Sequence, residues 1–81
     1  MVTFIITFRS VTPAQRAEQL LRSLGIACNL GRTPRWMEEQ GCGYSLRTTD
    51  TEAVMLLRSH KIPFRKVYRQ GGKGGLEEVQ L

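Results

Sequence analysis

The chain changes its hydrophobic period in a fixed order, and that order constrains the fold more than any single residue does. Val2 to Phe8 reads V-T-F-I-I-T-F, β-branched and aromatic throughout, with Phe4, Ile6 and Phe8 alternating onto one face. This predicts a strand, and a central one, because Val2 and Ile5 make the opposite face partly apolar. Ala17, Leu20, Leu21 and Leu24 then recur at helical spacing. Thr12 as a cap, Pro13 at the first helical position and Gln15 completing a capping box predict a helix over 12–24. Gly25 ends it where a left-handed backbone is tolerated. Ile26 to Leu30 reads as a short second strand with Ile26, Cys28 and Leu30 on one face, and Tyr44 to Thr48 alternates as a third. Thr49 with Glu52 makes a second capping box, and Asp50 adds a favourable charge in the first turn. Ala53, Leu56, Leu57 and His60 share one face of the helix expected over 50–60, widened by Val54. Pro63 precedes a fourth strand over 64–69, with Phe64, Lys66 and Tyr68 on one side and Arg65, Val67 and Arg69 on the other.

The order β-α-β-β-α-β has a familiar solution, the split βαβ or ferredoxin-like sandwich. Right-handed crossovers put both helices on one face of a four-stranded antiparallel sheet, so the expected class is α+β. A chain of 81 residues supports one small core, assigned here to a single α+β domain over 1–70. Gly71-Gly72-Lys73-Gly74-Gly75 has linker composition, and Leu76 to Leu81 is too short to fold alone, so 71–81 reads as a flexible Gly-rich C-terminal tail. A core of this size leaves little room for an enclosed active site. That favours a stoichiometric carrier or binding protein over an enzyme with its own turnover. No apolar run approaches the ~20 residues needed to span a bilayer. Met1 to Phe8 lacks a basic leader and a small-residue cleavage site, so the expected location is the cytoplasm, with no membrane partner.

Twelve basic and seven acidic residues give a net charge of +5, compatible with a nucleic-acid partner or with simple solubility. The two cysteines, Cys28 and Cys42, are not expected to pair in a reducing cytosol. With only His60 beside them, and no CxxC, they make no metal site, and no cofactor is expected. Cys28 lies on the apolar face of its strand and reads as inert packing.

The chemistry concentrates between the second and third strands, in G-R-T-P-R-W-M-E-E-Q-G over 31–41, followed by Cys42 and Gly43. A connection of this length is often functional. Gly41 and Gly43 give the Cys42 thiol access and let successive backbone N–H groups turn toward the sulfur as an anion nest. Arg35, and after it Arg32, can add the positive charge that stabilises a thiolate. Such a cysteine can attack a persulfide and carry its terminal sulfur, or form a mixed disulfide. The plainer reading is a turn whose glycines serve only the backbone.

The opening F-I-I-T-F, Ser10, the helix A-Q-R-A-E-Q-L-L over 14–21 and its terminal glycine are followed by a short strand, Pro34-Arg35, Cys42-Gly43 and V-Y-R over 67–69. Over about residues 3–69 this pattern resembles a family of short bacterial selenium/sulfur-carrier-like proteins. The resemblance implies that Cys42 holds sulfur or selenium as a persulfide or perselenide. It also implies donor and acceptor proteins as partners. Glu38, Glu39 and Gln40 stand where that family commonly has small polar residues, and carboxylates near a thiol oppose its ionisation.

Two other classes of function remain. If Phe4, Ile6, Phe8, Tyr44 and Leu46 face the helices, the open sheet face carries Arg9, Arg47, Arg65 and Arg69, a basic stripe suited to RNA. Alternatively the sheet serves a small ligand, a protein partner or a homodimer, with Trp36 as an anchor.

Overall fold

The computed structural model describes residues 3–32, 43–71 and 75–79. Their order is β1 (Thr3–Phe8), α1 (Val11–Ser23), β2 (Cys28–Arg32), β3 (Tyr44–Thr48), α2 (Ala53–Ser59), β4 (Val67–Gln70) and β5 (Leu76–Glu78). The sheet order is β2-β3-β1-β4-β5, with every neighbouring pair antiparallel. The first four strands reproduce the split βαβ order. The expectation of four strands is corrected to five.

Central position explains the composition of β1. It pairs with β3 on one side (Ile6 opposite Leu46, Phe8 opposite Tyr44) and with β4 on the other (Ile6 opposite Val67). Directly opposed residues share a face, so Phe4, Ile6 and Phe8 point toward the helices as expected. Ile6, Phe8, Leu46 and Val67 pack with Ala14, Ala17 and Leu21 of α1 and with Ala53, Val54 and Leu57 of α2. The small residues Ala14, Ala17 and Ala53 are fully buried, which lets both helices approach the sheet closely. His60 stays exposed just beyond α2.

The helix ends differ from the sequence reading. The N-cap of α1 is Ser10, with no side-chain cap bond, so Thr12 and Pro13 lie inside the first turn. Its C-terminal end is as expected: Gly25 takes φ +78, and the N–H of Ile26 donates to the carbonyl of Leu21 at 2.9 Å. The second helix is shorter than expected because its approach is a turn. Asp50 Oδ1 accepts from the Glu52 N–H at 2.8 Å there, and regular helix begins at Ala53.

The fifth strand comes from residues expected to trail as a tail. Gly71 N–H donates to Gly75 O at 3.1 Å, next to the Gln70–Leu76 pair of β4 with the antiparallel β5. Arg69 pairs with Glu77 at 2.6 Å and Lys66 with Glu78 at 3.5 Å. Both pairs are solvent-exposed and worth at most about 1 kcal/mol each. The strand is held chiefly by its backbone ladder, which the Val79 N–H extends by donating to Val67 O at 2.7 Å.

Leu46 is fully buried, whereas Met55 is 69% exposed. Leu46→Ala is expected to destabilise by about 3 kcal/mol and Met55→Ala by less than about 0.5 kcal/mol. Urea unfolding checks both; comparable losses would mean that the core has been placed wrongly.

Candidate functional site

The register of β2 against β3 builds the frame of the site. Cys28 lies opposite Thr48, Leu30 opposite Leu46 and Arg32 opposite Tyr44. The connection that carries the chemistry-bearing residues joins the two strands beyond the Arg32–Tyr44 pair, the last described pair of this ladder. Arg32, expected in an irregular segment, is instead the last residue of β2. Gly31 and Arg32 have little intrinsic strand preference; pairing with Ser45 and Tyr44 supplies it. Gly43, next to Tyr44, is buried, and Tyr44 packs half-buried against the core. Cys42, Gly41 and Arg35 lie outside the described residues, as does Trp36.

Cys28 is described fully and behaves as a small core residue. It is 8% exposed, and its Sγ lies 3.9 Å from the carbonyl of Glu18, which it can reach as a weak donor. Burial pushes its thiol above the ordinary range. The Arg22 guanidinium nearby pulls the other way, and the Glu18 carboxylate adds to the rise. The same guanidinium donates to Glu18 Oε2 and to Cys28 O, each at 3.4 Å. Thr48 Oγ1 donates to Ala27 O at 2.9 Å and accepts from the Asp50 N–H, fixing the start of β2 beside the end of β3. On balance burial outweighs Arg22, and the sulfur is enclosed with its pKa raised, the environment of a structural cysteine.

The basic stripe does not assemble on the open face. Arg47 lies opposite Ile5, on the face away from the helices. Arg69 lies opposite Phe4, on the helix side, where it pairs with Glu77. The reason is in β4: Val67 is the residue that enters the core, at 1% exposure, so Arg69, two positions on, goes with it. Arg9 and Arg65 sit at the end of the sheet, beside the start of α1. The sequence pattern had already placed Val67 and Arg69 on one side; what it lacked was which side faces inward. Among the described residues no group of His, Cys, Asp and Glu could hold a metal ion, and no helix is long and apolar enough to cross a membrane.

The burial of Cys28 has two measurable consequences. Its alkylation by iodoacetamide at pH 8 should be at least tenfold slower than in urea-unfolded chain, by peptide-resolved mass spectrometry. Because its folded pKa is raised, the protonated thiol's contribution to stability is full below about pH 8.5 and falls as pH rises toward the folded value. Cys28→Ala should remove that component of the alkaline loss in unfolding free energy. An unchanged alkaline slope would contradict the buried-thiol description.

Comparison with known proteins adds one finding. The profile of the family described as "Putative Se/S carrier protein-like" matches residues 3–69. No curated protein and no solved structure matches the chain. The matched span begins in β1 and ends in β4, enclosing both helices and the β2–β3 connection. The chain belongs to the selenium/sulfur carrier-like family.

Proposed function

We propose that the protein carries a sulfur or selenium atom on Cys42 and hands it to a partner protein. Family membership over residues 3–69 is the observation that carries this reading. The chain's two thiols then divide the work. Cys28 is enclosed and held protonated, so it is unsuited to nucleophilic attack. Cys42 is the other cysteine, and it precedes β3 by two residues.

Chain connectivity supports Arg32 as a charge partner. Opposed residues in an antiparallel pair have Cα atoms about 5 Å apart, and Arg32 is opposed to Tyr44. Two peptide units separate Tyr44 from Cys42, a span of at most about 7 Å. On that ground Arg32 is put forward as a charge partner of the thiol. Arg35 remains part of the proposal, with Gly41 and Gly43 supplying backbone donors around the sulfur.

The loading step is a thiol exchange. The Cys42 thiolate attacks the terminal sulfur of a donor persulfide, R–S–SH. A new S–S bond forms to Cys42, the donor's S–S bond breaks, and R–S⁻ leaves with the electron pair. The product is Cys42–S–SH, and an acceptor nucleophile attacking its outer sulfur regenerates the Cys42 thiolate. The step is stoichiometric, with no net oxidation beyond what the donor brings. A selenium atom delivered at the same oxidation level follows the same scheme.

Incubation with a persulfide donor followed by intact-mass spectrometry tests this. Wild type and Cys28→Ser should gain the mass of one sulfur atom; Cys42→Ser should gain none while keeping its unfolding midpoint. Loading that survives in Cys42→Ser and disappears in Cys28→Ser would reverse the assignment.

A further inference from the structure

The two edges of the sheet differ. β5 forms one, with Glu77 and Glu78 held by Arg69 and Lys66. β2 forms the other, and among the described residues no strand pairs with its outer side. Backbone alternation shows what that side offers. The Thr7 N–H donates to Lys66 O at 2.9 Å and the Arg65 N–H donates to Thr7 O at 2.7 Å, so the main-chain groups of Thr7 point toward β4. Those of Ile6 therefore point toward β3 and meet those of Leu46, its opposed residue. Ser45 and Arg47, one position either side of Leu46, turn theirs toward β2 and pair with Gly31 and Asn29. Leu30 and Arg32 are then left directing their N–H and C=O groups out of the sheet. The Cys28 carbonyl agrees with this alternation, since it accepts from the Arg22 guanidinium at 3.4 Å. The edge is thus occupied by a side chain at Cys28 and open at Leu30 and Arg32.

Outward-pointing main-chain groups on an edge strand are a template for one more strand, and extended peptides are recognised in this way. The surroundings select which peptide. Gly31 is exposed, and a Cβ built on it would meet nothing within 4 Å, so nothing obstructs a neighbouring strand there. Leu30 is half-buried against the core and offers an apolar neighbour on the helix side. β2 and β3 contain two arginines, Arg32 and Arg47, and no aspartate or glutamate. Both arginines are exposed, and among the described residues neither makes an ion pair or a side-chain hydrogen bond. Two copies of the chain meeting at this edge would bring like charges together, whereas carboxylates on an incoming strand would be attracted. The β5 edge, which already carries Glu77 and Glu78, has the opposite bias.

We infer that an extended acidic segment of a partner protein adds to the outer side of β2 as a further strand. Its main chain bonds to Leu30 and Arg32, an apolar residue lies beside Leu30, and its carboxylates face Arg32 and Arg47. In antiparallel register the residues opposite Arg32 and Leu30 are two apart, so the segment reads carboxylate, any residue, apolar. The inference does not rest on the sulfur chemistry, and its test reads no sulfur.

The test is a titration of the ¹⁵N-labelled full chain with the blocked peptide T-E-T-V-E-V-T at constant ionic strength, followed by amide shifts and hydrogen exchange. In the free chain the amides of Asn29 and Gly31 should be protected by β3 while those of Leu30 and Arg32 exchange with solvent. The peptide should give saturable shifts centred on β2 and slow exchange at Leu30 and Arg32 at least about tenfold. The same peptide with both glutamates replaced by glutamine should bind about tenfold more weakly. Arg32→Gln and Arg47→Gln, exposed substitutions whose folding the spectrum itself reports, should each weaken the acidic peptide about threefold, the change expected for one exposed ion pair. Non-saturable shifts, shifts centred away from β2, or equal affinity of the acidic and neutral peptides would overturn the inference. Protection of Leu30 and Arg32 that grows with chain concentration in the absence of peptide would also overturn it, by making a second copy of the chain the occupant.

Discussion

The structure depends on one row of apolar contacts across the sheet. Leu30, Leu46, Ile6 and Val67 stand side by side through successive antiparallel pairings, and three of the four are essentially sealed from solvent. Ile6 sits within the row because β1 has a partner on each edge. A slip of one residue in any of these pairings would turn a strand's apolar set to the wrong face. The row therefore fixes register as well as burial. Register in turn decides which residues stand at the ends of the strands, and the candidate chemistry is found at those ends.

One end of the sheet gathers most of it. Phe8, Tyr44 and Arg32 close the strands there, with the Cys42 connection on the β2–β3 side and a cleft lined by Arg9, Arg16 and Arg65 on the β1–β4 side. The opposite role falls to Cys28, near the other end of β2, where burial and the Glu18 carbonyl keep the sulfur quiet. A chain with two cysteines needs such a division if only one is to exchange sulfur. The fold provides half of it visibly, by enclosing the first thiol.

Much of the fold was legible because the alternation of Phe4, Ile6 and Phe8 and the helical spacing of Ala17, Leu21, Ala53 and Leu57 each have one natural reading. The failures have separate causes. β2 runs from Cys28 to Arg32, not from Ile26, because partners in β3 override the weak strand preference of Gly31 and Arg32. β5 was hidden because a glycine-rich stretch has linker composition and only three residues of strand follow it. The fit of Glu77 to Arg69 and Glu78 to Lys66 shows only once their register is known. The basic stripe failed on one choice, Val67 inward. The arginine-lined cleft could not be read at all, since Arg9, Arg16 and Arg65 come to it from three separate stretches of chain. Cys42 was singled out from its flanking glycines and the family pattern, and it lies outside the described residues.

The central claim is that one of two cysteines exchanges sulfur and the other is structural. Peptide mapping of wild-type protein tests it most directly, after loading from a persulfide donor and trapping with an alkylating agent that preserves the persulfide. The account predicts the additional sulfur on the peptide containing Cys42 and an unmodified sulfur on the peptide containing Cys28. An additional sulfur on the Cys28 peptide, or none on either, would contradict it.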